Sequence, residues 1–140
     1  MKEVVKVYTD GSFNDKTRVY GSGVVYDIED KRYEYTFGGS DPMLAKSYNV
    51  TGEIMAVMYA VKRAIRDGYI SMEIYYDKTG IEEWPKGKWA AKSLVSRKYA
   101  EFMIKAAQVM DIKYFKIKSH SGDKYNDRAD ELAKMGAGIL

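Results

Sequence analysis

The sequence predicts a single α/β domain over residues 1–140, built on a five-stranded mixed sheet, with elements in the order βββαβαβα and helices on both faces. Three observations carry that expectation. The first 37 residues hold strand-like Val- and Tyr-rich segments separated only by short turns. From Asn49 onward the apolar spacing changes from alternation to the helical period, and strands and helices then follow one another. No repeat, low-complexity tract or Pro/Gly/Ser linker interrupts the chain, so no domain boundary is expected.

Val4 to Thr9 reads as strand one. Val19 to Ile28 and Arg32 to Phe37 read as strands two and three, joined by Glu29-Asp30-Lys31 in a tight hairpin. In Asn49 to Asp67, Ile54, Val57, Met58, Val61 and Ile65 share one helical face, and Gly68 stops the helix. Met72 to Tyr76 is a fourth strand ending at Asp77. Ile81 to Trp84 is a short helix cut by Pro85, and Ser96 to Met110 a longer one with Tyr99, Phe102, Met103, Ala106 and Val109 inward. Ile112 to Ile117 is a fifth strand, followed by a loop from Lys118 to Asp123 and a last helix to about Met135. Three strands in a meander, then strands linked through helices, imply antiparallel pairing continued by parallel strands. Ligands of such sheets bind beyond the carboxyl ends of the parallel strands, where Asp10 and Asp77 fall.

A chain of 140 residues buries roughly two thirds of the surface its unfolded form exposes, so no disulfide or partner is needed for folding. The absence of Cys excludes thiolate metal sites and thiol catalysis, and with no signal peptide or long apolar run a cytoplasmic protein is expected. Net charge is +3, from 23 basic and 20 acidic residues, which says little by itself. The distribution says more. Pro85 to Ala100 carries Lys86, Lys88, Lys92, Arg97 and Lys98 with no acid, and Trp84, Trp89 and Tyr99 stand beside or within the run. Such a run is either a solvated face or a nucleic-acid track, and aromatics among lysines suit the track.

The stretch VYTDGSF, Val7 to Phe13, also has two readings. Asp10-Gly11 is either a plain turn or a carboxylate displayed at the end of a buried strand. Parallel neighbouring strands lie about 4.8 Å apart, so Asp10 and Asp77 at one level could share a cation. Divalent metal would remove their repulsion, and a metal pair about 3.5 to 4 Å apart suits in-line phosphoryl displacement. Oxygen ligands without His or Cys select Mg²⁺ or Mn²⁺ over zinc. Glu53 sits in the first turn of a helix, where the dipole alone favours an acid, yet it aligns with Ala56, Ala60 and Ala64, a stripe suited to packing on the sheet. In the last helix Asn126, Ala129, Asp130, Ala133 and Ala137 share the inward face, whereas Asp127, Glu131 and Lys134 face outward. Asp130 is therefore a fourth ligand candidate and Asp127 a solvated acid. His120, the sole histidine, lies in the loop before that helix. It is either simply exposed or a proton carrier beside the metals.

With these residues assembled, the sequence resembles type 1 ribonuclease H. The matching motifs are YTDGS at Tyr8 to Ser12, NVTGEIMAVMYAV at Asn49 to Val61, IYYDKTGIEEW at Ile74 to Trp84, and KSHSGDKYNDRADELAK at Lys118 to Lys134. They span nearly the whole chain in the family's order. The resemblance implies an RNase H-like fold and an endoribonuclease that cuts the RNA strand of an RNA–DNA hybrid by a two-metal mechanism, leaving 5′-phosphate and 3′-hydroxyl ends. It implies two Mg²⁺, with Mn²⁺ as a substitute, held by Asp10, Glu53, Asp77 and Asp130. Asp10 would bridge the metals, Asp130 would serve the attacking-water side, and Glu53 and Asp77 the leaving 3′ oxygen. His120 falls at the family's mobile histidine, assigned to proton transfer or product release. Gly11 would let the hybrid backbone approach. Ser12, Asn49 and Thr79 would lie near RNA 2′-hydroxyls, and Asn126 near the metals.

Some features depart from the family pattern. Asn14, Tyr48 and Thr51 do not match the commonest polar residues of the motifs. The span from Trp84 to His120 is too short for the separate basic protrusion of some members, so Lys86, Lys88, Lys92, Arg97 and Lys98, with Trp84 and Trp89, are expected to grip the hybrid instead. No N-terminal hybrid-binding domain is expected, since the first motif starts almost at Met1. The partner is thus RNA–DNA hybrid, with no membrane, and a monomer is expected. The competing readings are a DNA-acting nuclease of the same superfold, resolvase- or transposase-like, a non-catalytic hybrid-binding module, and a structural domain with fortuitous acids.

Overall fold

A computed structural model describes residues 2–78, 80–118 and 123–140, with the side chains of Lys2, Glu3 and Asn49 outside the description. Its elements are β1 (Lys2–Asn14), β2 (Val19–Ile28), β3 (Lys31–Gly39), α1 (Pro42–Ala45), α2 (Tyr48–Arg66), β4 (Tyr69–Tyr76), α3 (Gly80–Glu83), α4 (Leu94–Ala106), β5 (Asp111–Lys116) and α5 (Lys124–Gly136). The strands form one sheet in the order β3-β2-β1-β4-β5. Pairing is antiparallel within the β1–β2–β3 meander and parallel for β1 with β4 and β4 with β5, the mixed sheet expected from the element order.

The β2–β3 hairpin has a two-residue loop, since Ile28 pairs with Lys31. Glu29 and Asp30 have φ of 51° and 65°. Two left-handed residues match the right-handed twist of the flanking strands. Strand one departs from expectation, because the chain does not turn at Asp10-Gly11. Pairing with β4 is recorded up to Tyr8 opposite Tyr75, but β2 stays paired to β1 from Asp10 opposite Gly23 to Asn14 opposite Val19. The turn comes only after Asn14, whose side-chain oxygen accepts hydrogen bonds from the N–H groups of Lys16 and Thr17. Asp10 therefore sits inside a strand, just beyond its recorded pairing with the parallel neighbour.

Helix boundaries shift for local reasons. Ser93 and Ser96 form a reciprocal capping box, so α4 starts at Leu94 rather than Ser96. It ends at Ala106 rather than Met110, which leaves Val109 66% exposed instead of inward. Ile65, in the last turn of α2, is likewise 36% exposed. The unexpected α1 is capped by Asp41, which accepts from the Met43 N–H, with Pro42 in the first turn.

Side chains pack on both faces of the sheet. Val5, Val7, Met72 and Ile74 pack with Ile54, Val57 and Val61 of α2 and Tyr99 and Met103 of α4. Tyr8 and Val25 pack with Ala129 and Leu132 of α5. Two glycines let the helices come close beside Asp10. A Cβ on Gly23 would lie 2.1 Å from the Ala129 carbonyl oxygen of α5, and one on Gly52 would lie 2.1 Å from the Gly21 carbonyl oxygen of β2. Larger residues there would push α5 and α2 off the sheet.

Candidate active site

The parallel register brings the first two acids together. Tyr8 is level with Tyr75, and two residues further along each chain come Asp10 and Asp77. α2 starts at Tyr48, so Glu53 lies beyond its first turn rather than in it, and Gly52 seats this part of the helix on the sheet, which carries Glu53 to the same place. Ala56, Ala60 and Ala64 are buried along the helix face that follows it. Ligand oxygens of Asp10, Glu53 and Asp77 all lie within 4.8 Å of one another. Asp10 is only 4% exposed and Glu53 is fully buried.

Such a group of acids is costly by itself. Burial, and then the Asp77 charge, push the Asp10 carboxyl up to about 7, although the Gly11 N–H donates to its Oδ1 at 2.8 Å. Burial lifts Glu53 well above the ordinary carboxylate range, and Asp10 and Asp77 add to the effect. Glu53 Oε1 accepts from the Asp77 N–H at 3.4 Å, while its Oε2 is buried with no hydrogen-bond partner among the described residues. A buried carboxylate oxygen without a donor, facing two further carboxylates, is a poor protein interior and a good cation ligand. The donor set is all oxygen, which fits a hard divalent metal.

Asp130 is not one of the three clustered acids. It is partly exposed and its Oδ2 pairs with Lys134 Nζ at 3.1 Å. Its charge still reaches Asp10 and raises that carboxyl slightly further. The helical phase of α5 otherwise matches expectation: Asn126, Ala129, Ala133 and Ala137 are buried and Asp127 is exposed. Asn126 has a buried side-chain oxygen without a partner among the described residues. Lys134, expected to face outward, instead bends along the helix to Asp130.

Gly11 is buried and Ser12 half-buried, beside the acids on β1. Thr79 and His120 lie outside the described residues, as does the Asn49 side chain. The basic run is divided. Lys86 is bound to Glu82, which also accepts from the Tyr76 hydroxyl at 2.8 Å, and its ammonium lies 5.6 Å from the Tyr114 ring centre. That lysine is engaged in the fold. Lys88, Lys92, Arg97 and Lys98 are exposed, and Trp89, 49% exposed, meets Trp84 edge-on at 6.3 Å.

One residue at the site escaped sequence reasoning. Lys78 places its Nζ 3.2 Å from Asp77 Oδ1, inside the acidic cluster. Burial works to lower its pKa, but Asp77 and Asp10 outweigh that and hold it raised. The only sequence signal was its position directly after a candidate ligand.

The comparisons with known proteins agree with this geometry. The family model for RNase H matches residues 2–138. The ribonuclease H of Parvibaculum lavamentivorans is 30% identical over 144 residues, covering 96% of this chain and 93% of the relative. That of Actinobacillus succinogenes is 30% identical over 150 residues, covering 98% and 92%. Among solved structures, RNase H1 from the halophilic archaeon Halobacterium salinarum superposes with a TM-score of 0.79 at 19% identity, over 98% of this chain and 99% of that one. LC11-RNase H1, solved in complex with RNA/DNA hybrid, gives 0.76 at 18% identity, over 96% of each. By sequence match along nearly its full length and by fold, the chain belongs to the RNase H family of hydrolases.

Proposed function

We propose that this chain is an endoribonuclease that hydrolyses the RNA strand of RNA–DNA hybrids with two Mg²⁺, leaving 5′-phosphate and 3′-hydroxyl ends. The observation that carries the reading is the buried acidic cluster with the unsatisfied Glu53 Oε2. A structural neighbour solved with RNA/DNA hybrid supports hybrid as the substrate class. When bound, a divalent metal pair supplies a water nucleophile at neutral pH and offsets charge on the phosphate, and Mn²⁺ can substitute. Asp10, Glu53 and Asp77 would hold the metal, and the resemblance gives Asp10 the role shared by both ions. By the same resemblance Glu53 and Asp77 would serve the leaving-oxygen side and Asp130 the water side, for which Asp130 would have to release Lys134.

His120, between β5 and the helix bearing Asp130, is assigned proton transfer or product release. Gly11 leaves room for the RNA backbone, and Ser12, Asn49 and Thr79 supply polar groups for 2′-hydroxyls, the feature by which a protein tells RNA from DNA. Asn126, with its free buried oxygen, steadies the site near Asp130. Exposed Lys88 and Lys92 beside Trp84 and Trp89 form a track for the hybrid's phosphates and sugars. Lys86, exposed but paired with Glu82, contributes less to this track. The domain acts as a monomer in the cytoplasm in this reading. Among the described residues no helix is long and apolar enough to cross a membrane.

The test is a gel assay with strand-labelled RNA–DNA, RNA–RNA and DNA–DNA duplexes, with and without Mg²⁺. Cleavage of the RNA strand of hybrid alone supports the reading. Preferential cutting of duplex DNA would assign the chain to the DNA-acting branch of the superfold, and Mg²⁺-independent binding without cleavage would make it a binding module.

A further inference from the structure

We infer that Lys78 is the resident counter-cation of the carboxylate cluster, holding it together without metal and competing with divalent ions for it. The inference rests on reading Asp10, Glu53 and Asp77 as the metal ligands. Three carboxylates within 4.8 Å of one another in a largely buried setting are costly when ionised unless a cation offsets their charge. The ammonium of Lys78 is paired with this cluster, 3.2 Å from Asp77 Oδ1. Its side chain is 30% exposed and that of Asp77 only 8%, so the contact is shielded from bulk water. The Lys78 charge is also felt by Asp10 and Glu53, beyond its direct partner.

The consequence is a competition. A divalent ion drawn to the same oxygens is repelled by an ammonium already on one of them. The lysine stem is flexible and partly exposed, so the ammonium can leave the cluster toward solvent when metal enters. Lys78 therefore lowers metal affinity while stabilising the metal-free protein. It is a positioning residue, with no contact to the reacting atoms assigned to it.

The experiment compares the intact chain with Lys78→Met and Lys78→Arg. Mg²⁺ affinity is read by isothermal titration calorimetry at pH 8, and thermal stability in EDTA. Removing a positive charge that must either stay about 5 Å from a doubly charged ion or be displaced by it should tighten Mg²⁺ binding by up to about tenfold. Lys78→Met should also lower the melting temperature in EDTA, with Mg²⁺ restoring it. Lys78→Arg, which keeps the charge, should retain affinity near that of the original chain. Unchanged or weaker Mg²⁺ binding by a folded Lys78→Met overturns the competition and leaves the metal reading standing. If Lys78→Met does not fold in EDTA, Lys78→Arg decides: affinity tightened as much as removal of the charge should give also overturns it. Failure of the original chain to bind Mg²⁺ at all overturns the metal reading, and the competition with it.

Discussion

Replacing Asp10 by Asn removes a negative charge from a buried cluster while keeping the side chain's shape, so its effect on the metal-free protein can be worked out. The Asp10 carboxyl is raised from 3.8 to about 7, by burial first and then by Asp77. An acid whose folded pKa exceeds its unfolded value binds more protons when folded. Its protonation therefore stabilises the fold, and that stability is full below pH 4 and is lost as pH rises through about 7. Each pH unit in that window is worth about 1.4 kcal/mol, so the ionised acid costs the fold about 4 kcal/mol. A buried amide has its own desolvation cost, and if half of the penalty returns, Asp10→Asn gains about 2 kcal/mol at pH 8. For a domain of this size that is a Tm rise of about 5 to 10 °C. The assay is thermal melting in EDTA from pH 4 to pH 8. The gain should be absent near pH 4 and largest near pH 8, and hybrid cleavage should be abolished at saturating Mg²⁺. A variant that melts lower at pH 8, or whose difference from the original chain ignores pH, would refute the picture of a charge-stressed cluster.

Other expectations follow from the same geometry. Asp130→Asn should lower hybrid cleavage by orders of magnitude and Asp127→Asn should leave it nearly unchanged, measured as initial rates, because only Asp130 lies near Asp10. Gly52→Ala forces a Cβ to within 2.1 Å of the Gly21 carbonyl oxygen. It should cost about 3 kcal/mol in denaturant titration and reduce cleavage further by displacing Glu53. Lys88→Ala with Lys92→Ala should raise KM, leave kcat nearly unchanged and flatten the salt slope of affinity by at most about two. Lys86→Ala should instead lower Tm slightly with little change in salt slope, through the loss of its contact with Glu82, a largely exposed pair worth under about 1 kcal/mol.

Much of this was legible in the sequence because periodicity reports burial. The alanine stripe after Glu53 marks that acid as inward and the phase of α5 marks Asp127 as outward, whereas Asp130, bracketed by buried Ala129 and Ala133, is only partly buried. Parallel pairing of β1 with β4 matches the expectation raised by the helix before β4, whereas the register that levels Asp10 with Asp77 is set by the sheet. What escaped depends on groups distant in sequence. The β1 extension to Asn14 is set by β2 pairing, which overrides the turn preference of Asp-Gly. α4 ends at Ala106, so Val109, which is periodic with the helix, lies beyond it and is exposed. Lys78, Lys86 and Lys134 are a different case: each pairs with an acid one or four residues away, so local spacing carries a signal for all three. Close approaches at Gly23 and Gly52 leave no mark except the glycine itself.

The most direct test of the account is the Mg²⁺ dependence of RNA-strand cleavage in a labelled RNA–DNA hybrid, measured for the original chain and for Glu53→Gln. Glu53 is fully buried and its free Oε2 is the atom that most needs a cation. The original chain should cut only when Mg²⁺ is present, and Glu53→Gln should lose activity by at least about a thousandfold, ~4 kcal/mol of barrier, while melting no lower in EDTA. Cleavage by the original chain in EDTA, or undiminished cleavage by Glu53→Gln, would contradict the claim that this buried cluster holds the metal that does the chemistry.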